Sequence, residues 1–326
     1  MKSFPLSVGL AWVAGTLACP AAEKVVFHAD WFAGPQFAGL YVAADQGFFR
    51  AAGLEVEFVP FKFGLKPTGE IAASSDCALG SIEGYIFLQQ RAAGADLRAL
   101  GAMLQESPAG FMSLPSAGIA SARDFAGKRI GVHMFADPLY RWFLRRAGLG
   151  DGDATLVPAG NDLGLLLRGE VDALQGYASE EFVRLRQQTG GRARFLSFRE
   201  LGFDSYSEIL CTTAAQLTRH GAALQAFVAA AQRGWTHALA HPDDAIAALR
   251  TRAGADFDEP LQRAELAALE PFVHAGATPP LAPMSADKWR RMQSACVEMG
   301  FLAKTEPVEN FLPPDTTTRL QNGLSR

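Results

Sequence analysis

The sequence has no basic block. Lys and Arg number 30 against 34 Asp and Glu, interspersed, for a net charge of −4. That leaves no electrostatic footprint for nucleic acid or for an anionic membrane surface. Cysteine is scarce: Cys19, Cys77, Cys211 and Cys296 are widely spaced, with no CxxC pair. This excludes a disulfide-stapled scaffold and a structural zinc site, and leaves buried free thiols as the expectation. No Walker phosphate loop is present. The run Ala78 to Gly84 sets a serine between glycines but is not GxSxG, so no nucleophile elbow is indicated. His237 and His241 stand at i, i+4 without the glutamate of a zinc-protease helix, and read as exposed helix residues. His28, His133, His220 and His274 form no spaced set. No catalytic residue, metal ligand or cofactor is therefore assigned.

Long apolar runs are missing too. The longest, from about Leu6 to Leu17, is shorter than the ~20 residues a spanning helix needs. With Lys2 before it and small residues after it, it reads as a secretory signal peptide over residues 1–22. Cleavage fits after Ala18 or Ala21. Cys19 follows Thr16-Leu17-Ala18, a degraded lipoprotein pattern, so a lipid anchor at Cys19 is the alternative.

The full sequence is 49% hydrophobic and 20% charged, the balance of a folded globular protein with room for one large domain or two ordinary ones. Lys24 to Phe32 begins as a strand. Phe37, Tyr41, Ala44 and Phe48 then share one face of a helix over 36–46, and Leu54 to Phe61 alternates as a strand. The pattern recurs: strands near Cys77–Gly80, Leu97–Gln105, Arg129–His133, Ala154–Ala159 and Val171–Ala178, with helices at 86–95, 137–149 and 161–171. Asp137 and Pro138 open one of these as a cap and a first-turn proline. Such alternation predicts an α/β protein with open, mostly parallel sheets. Beyond residue 212 the chain is helix-rich. Leu224, Phe227, Val228, Ala231 and Trp235 make one apolar stripe, and Trp289, Met292, Cys296 and Met299 another.

In open α/β sheets, ligands sit outside the carboxyl ends of strands. Trp31 ends the first strand; Ser81 and Glu83 follow the third; Phe135 and Asp137 follow Arg129–His133; Tyr177, Ser179, Glu180 and Glu181 follow Val171–Gln175. Four loops thus have polar or aromatic tips that converge if the topology holds.

The stretch from Ala29 to Phe61 resembles the opening of bacterial solute-binding proteins of the NMT1/THI5-like group. It supplies Asp30-Trp31, Gly39, Tyr41, Ala43, Gly47-Phe48-Phe49, and Gly53, Leu54 and Val56. The likeness continues through Gly118–Val132 and through Leu165–Phe182, and covers most of residues 24–300. The resemblance implies a type II periplasmic-binding-protein fold, two Rossmann-like lobes joined by two crossover segments. Lobe 1 would be 23–108 plus 210–326 and lobe 2 would be 109–209. It implies no enzyme, but a monomeric periplasmic receptor that delivers a small-molecule ligand to the membrane permease and ATPase of an ABC importer. The ligand expected is a planar thiamine-precursor pyrimidine, hydroxymethyl- or formylamino-substituted. Riboflavin-type, sulfonate and nitrate ligands, or a sensory role, are the alternatives.

The implied ligand set is Trp31, Gln36, Tyr41, Ser81, Glu83, Phe135, Asp137, Tyr177, Glu181 and Tyr206. Trp31 would stack on the ring with Tyr177 and Tyr206 opposite, and Glu181 would accept from an amine. Against the family's G-Y-x-T-N-E-P, Glu180 replaces asparagine and Phe182 replaces proline. The family's pyrimidine-synthesising enzymes carry a lysine and a histidine just after the strand matching Cys77–Gly80. Here Ser81–Leu88 has neither.

Overall fold

The computed structural model describes residues 22–62, 64, 67–133, 137–254, 257–275 and 280–312. The leader (save Ala22), Cys19 and Phe135 lie outside these residues.

Strand β1 (Glu23–His28) buries Val25, Val26 and Phe27, and stops at His28, short of Trp31. A 3₁₀ turn over Pro35–Phe37 feeds helix α1 (Ala38–Asp45). Gly47, at φ +73°, turns the chain into the short α2 (Phe48–Ala51), a left-handed step that glycine makes without a Cβ clash. Then come β2 (Leu54–Val59), α3 (Pro67–Ala73), β3 (Cys77–Gly80), α4 (Gly84–Ala92) and β4 (Leu97–Leu104). After β4 the chain crosses over. It builds β5 (Ala109–Ser113), β6 (Arg129–Val132), α5 (Asp137–Arg146), β7 (Thr155–Pro158), α6 (Leu163–Leu167), β8 (Ala173–Tyr177), α7 (Glu181–Gln188) and β9 (Arg194–Ser197). It returns through 198–206 into β10 (Ser207–Thr213) and ends in α8 (Ala214–Ala240), α9 (Pro242–Arg250), α10 (Glu259–His274) and α11 (Ala286–Met299).

Two five-stranded sheets result, ordered β2-β1-β3-β10-β4 and β7-β6-β8-β5-β9. The order is the same in both: three parallel strands, then the strand that arrives by crossover, then an edge strand. Four of the five strands in each sheet run one way, as expected. The exception is the crossover strand, β10 running antiparallel to β3 and β4, and β5 antiparallel to β8 and β9. A strand entering from the other lobe has no helix to turn it around, so it inserts against the grain. The lobe boundary expected at 209/210 falls inside β10, which pairs with β4 from Ser207 onward.

Helix α8 starts where the Thr213 hydroxyl accepts from Gln216 N–H, and crosses α1 at very close range. A Cβ on Gly39 would sit 2.2 Å from the Trp235 ring, and one on Gly234 would sit 2.0 Å from the Gly39 carbonyl oxygen. Only glycine lets these two backbones meet. Helix α11, capped by Ser285 and ended by Gly300 at φ +84°, buries Trp289, Met292, Cys296 and Met299. It packs on both α4 and α5, and Trp142 Nε1 donates to Glu298 at 2.9 Å. One core cluster consequently runs through both lobes, from Phe87 and Trp289 to Phe111 and Phe143. Cys77, Cys211 and Cys296 are buried free thiols. No helix among the described residues is long and apolar enough to cross a membrane.

Candidate functional site

The parallel strands of both sheets point their carboxyl ends at one cavity of about 220 Å³. Asp30 and Trp31 come from the turn after β1, and Glu83, Tyr85 and Ile86 from the start of α4. Glu208 comes from β10. Facing them are His133 after β6, Leu139 and Tyr140 on α5, Gln175 and Tyr177 on β8, and Glu180 and Glu181 at the start of α7. Ala109, Phe198 and Phe203, beside the crossovers, complete the wall. The residues that line the cavity thus carry five carboxyl groups and six aromatic rings, and among those described there is no lysine or arginine.

The carboxyls are held in distinct ways. The Ser81 hydroxyl donates to Asp30 Oδ1, and Asp30 N–H donates back to Ser81 Oγ at 3.1 Å. Glu83 accepts from Ser207 Oγ, from Ser107 Oγ at 3.4 Å and from the Tyr177 hydroxyl at 3.1 Å. The last bond spans the cavity from lobe to lobe. Glu181 Oε2 accepts the Tyr177 backbone N–H at 2.9 Å, which fixes the carboxylate at the mouth of its own helix. Glu208 is 4% exposed, and its Oε2 has no partner.

Burial pushes Asp30, Glu83, Glu180 and Glu208 up. Glu83 rises to about 7, desolvation outweighing its three hydrogen bonds. Glu180 rises to about 8 through burial and then the charge of Glu181. Glu208 lies well above the usual carboxylate range through burial and the charges of Asp30 and Glu83. Asp30 is raised by burial despite its bonds to Ser81 and Glu208. Burial lowers His133, so its ring is neutral; its Nε2 has no partner. The Tyr140 hydroxyl donates to Gln175 Oε1 at 3.2 Å and accepts from His133 N–H at 3.3 Å, which stiffens the lobe 2 wall. Such a cavity offers a planar guest ring faces and a mix of carboxylate acceptors and protonated carboxyl donors.

The profile of the NMT1/THI5-like family matches residues 34–245, about two thirds of the chain. This chain belongs to the NMT1/THI5-like family. A putative thiamine biosynthesis protein of Haemophilus influenzae is 27% identical over 302 residues, 91% of this chain and 93% of that one. The formylaminopyrimidine-binding protein of Halalkalibacterium halodurans is 27% identical over 71% of each chain. Family relatives also include the riboflavin-binding protein RibY of Chloroflexus aurantiacus, 27% identical over 70% of this chain and 66% of its own. The 4-amino-5-hydroxymethyl-2-methylpyrimidine phosphate synthase of Aspergillus parasiticus is 27% identical over 68% of each. Among solved structures, the periplasmic aliphatic sulphonate binding protein SsuA of Escherichia coli superposes with a TM-score of 0.68 at 19% identity, covering 90% of this chain and 92% of that one. The two-lobed fold is thereby established.

Of the ten residues expected at the site from the family likeness, Trp31, Glu83, Tyr177 and Glu181 line the cavity. Five others stand elsewhere. Ser81 is fully buried one layer behind, where it orients Asp30. Gln36 is 4% exposed and turns inward on its own loop, Nε2 donating to the Phe32 carbonyl at 3.0 Å. Tyr41 packs among Phe37, Phe58 and the Arg252 guanidinium, 4.8 Å from its ring, because α1 aims that face at the lobe 1 core. Asp137 is exposed and pairs with Arg141 one turn on, at 2.9 Å. Tyr206 lies on the other side of the crossovers, its hydroxyl accepting Ser285 N–H at 2.7 Å and its ring under Lys288 Nζ at 4.5 Å. Phe135 falls outside the described residues.

Sequence reasoning missed Asp30, His133, Tyr140, Gln175 and Glu208 as wall residues; Glu180 was named at its strand end but left out of the implied ligand set. Asp30 carried a signal, since it stands beside Trp31 at the strand's end. Glu208 carried none: it occupies a strand that pairs only after the chain returns from lobe 2. Glu23, Cys77 and His220 bring three potential ligand atoms within 4.8 Å of one another, away from the cavity. Residues so far apart in the chain give no spacing to read.

Proposed function

We propose that this chain is the exported solute receptor of an ABC importer and closes its two lobes on one planar, amine-bearing heterocycle of the thiamine-precursor pyrimidine class. The observation that carries this is the cavity wall: ring faces and five carboxyls, with no lysine or arginine among the described residues that line it. Such a wall gives nitrate or sulfonate no cationic partner among the described residues that line it, and what charge its carboxyls keep opposes an anion. The size agrees. A cavity of about 150 Å³ takes one benzene ring. The 220 Å³ here suits a single substituted ring better than the three fused rings of a flavin.

The names of relatives support the class, since a formylaminopyrimidine-binding protein and a putative thiamine biosynthesis protein are among them. Others are pyrimidine phosphate synthases. The wall does not fit the pyridoxal phosphate of that chemistry. Among the described residues that line it there is no lysine to form a Schiff base and no cation to hold a phosphate. The receptor reading is non-catalytic.

In this reading Trp31 stacks on the ring from lobe 1 and Tyr177 from lobe 2, at about 0.5–1.5 kcal/mol each beyond burial. Glu181 accepts from an exocyclic amine, worth on the order of 1.5–3 kcal/mol in a drying cleft. We place the hinge at 105–108 and 198–206, the two connections between the sheets. Residues 1–22 direct export, and the closed monomer docks on a permease served by an ATPase. A thermal-shift screen over 4-amino-5-hydroxymethyl-2-methylpyrimidine, formylaminopyrimidine, riboflavin, an alkanesulfonate and nitrate tests the reading. The pyrimidines should raise the Tm; a rise with the sulfonate or nitrate alone would overturn it.

A further inference from the structure

Glu208 is an uncomfortable residue. Its backbone sits at φ +50° inside a strand, a left-handed conformation that a side chain with a Cβ adopts at a cost. Two residues on, the pairing of β10 with β4 slips between Leu210 and Cys211, the kind of irregularity that re-aims a side chain. The result is a glutamate 4% exposed, lining the cavity with Asp30, its Oε2 unpartnered. Nothing in the packing of β10 needs this. An apolar residue would fill the same place without an orphaned acceptor.

The titratable groups that share the cavity wall with Glu208 include Asp30 after β1, Glu83 before α4, Tyr177 at the end of β8 and Glu180 before α7. Tyr41, in the core behind with the Arg252 guanidinium over its ring, also feels its charge. Two carboxyls in contact cannot both be ionised in such a place, so the Asp30–Glu208 pair holds one proton between them. The orphaned oxygen and the shared proton are both answered by one event, the arrival of a cation with paired N–H donors.

We propose that Glu208 is a ligand-reading residue that trades its proton for a planar cation, an amidinium or a protonated aminoazine. The exchange rests on the receptor reading of the cavity and deepens it. On binding, the Glu208 O–H bond breaks and its proton passes to solvent. An N–H of the cation takes its place as donor to the freed carboxylate, with Asp30 accepting alongside. No covalent bond to the ligand forms. The acid thereby selects charge and donor pattern, where the rings select shape.

Titration calorimetry at pH 7 in two buffers of different ionisation enthalpy counts protons released per ligand bound. Benzamidine is the cationic probe, benzamide its neutral isostere, and 4-amino-5-hydroxymethyl-2-methylpyrimidine the reading's own ligand. We expect benzamidine to bind at least tenfold tighter than benzamide and to release at least one proton. Glu208→Gln keeps a donor to Asp30 but has no proton to lose; it should release one proton fewer and bind benzamidine at least tenfold more weakly, with benzamide unchanged. Equal proton release in the variant and the parent overturns the proposal. If the variant fails to fold, the parent decides alone: no proton release with benzamidine, or no binding of it, overturns the proposal. The pyrimidine, unlike benzamidine, enters neutral and takes the Glu208 proton itself, so it should release none. Net proton uptake or release of a full equivalent with it overturns the exchange. Failure of the pyrimidine to bind while benzamidine binds with proton release overturns the receptor reading and leaves the exchange standing.

Discussion

Glu181 and Trp31 divide the work of recognition between an acceptor and a ring face, and each can be removed singly. Glu181→Gln keeps the contact with Tyr177 N–H, since an amide oxygen also accepts, but removes the charge. Ligand affinity should fall tenfold or more with the apo Tm nearly unchanged, as read by calorimetry and melting; unaltered affinity contradicts the role. Trp31 is partly exposed, so Trp31→Ala should cost roughly 0.5–1.5 kcal/mol of binding beyond lost area and little stability. Trp31 was legible because it stands at a strand end beside an acid. Tyr41 and Tyr206 misled because a ring on a helix or near a crossover gives no sign of the side it faces.

The buried acids also set a pH dependence. Between the ordinary value of 4.5 and about 7 or 8, Glu83 and Glu180 keep protons in the folded protein that the unfolded chain has released. The folded state binds more protons there, so stability is full below that window and falls as pH rises through it. The apo protein should melt several degrees higher at pH 5 than at pH 9, and a flat profile contradicts the burial of these groups.

Elements α1 and α8 meet through Gly39 and Gly234, and this contact fixes how the C-terminal helices sit on the first sheet. Gly39→Ala forces a methyl into the Trp235 ring, and should cost about 3 kcal/mol and lower the Tm by roughly 5–10 °C. A neutral Tm contradicts the close crossing. Most elements were legible from periodicity, because β1, β2, α5 and α8 pack in the way their patterns advertise. Strands β5 and β10 were not. Each is paired with segments distant in sequence, so its neighbours, direction and the inward turn of Glu208 are tertiary facts. The one reversed strand in each otherwise parallel sheet was hidden for the same reason.

At the scale of the molecule, the lobes touch on two sides of the cavity. Tyr177 reaches Glu83 within it, and Arg184 of α7 reaches Glu265 of α10 at 3.0 Å outside it. Glu265 is almost wholly buried and also accepts from Gln262 Nε2 at 2.8 Å, so the contact is anchored on the lobe 1 side. Arg184→Met leaves a buried carboxyl without its cation and removes one closure contact. Ligand dissociation should accelerate about tenfold or more in stopped-flow displacement, and an unchanged rate contradicts a closing role for this pair.

The central claim is that the cleft selects a small amine-bearing ring. Titration calorimetry of the leader-free protein with 4-amino-5-hydroxymethyl-2-methylpyrimidine, and separately with an alkanesulfonate, tests it most directly. The account predicts saturable one-to-one binding of the pyrimidine, abolished neither by salt nor by excess sulfonate, and no heat from the sulfonate alone. Saturable binding of the sulfonate with none of the pyrimidine would contradict it.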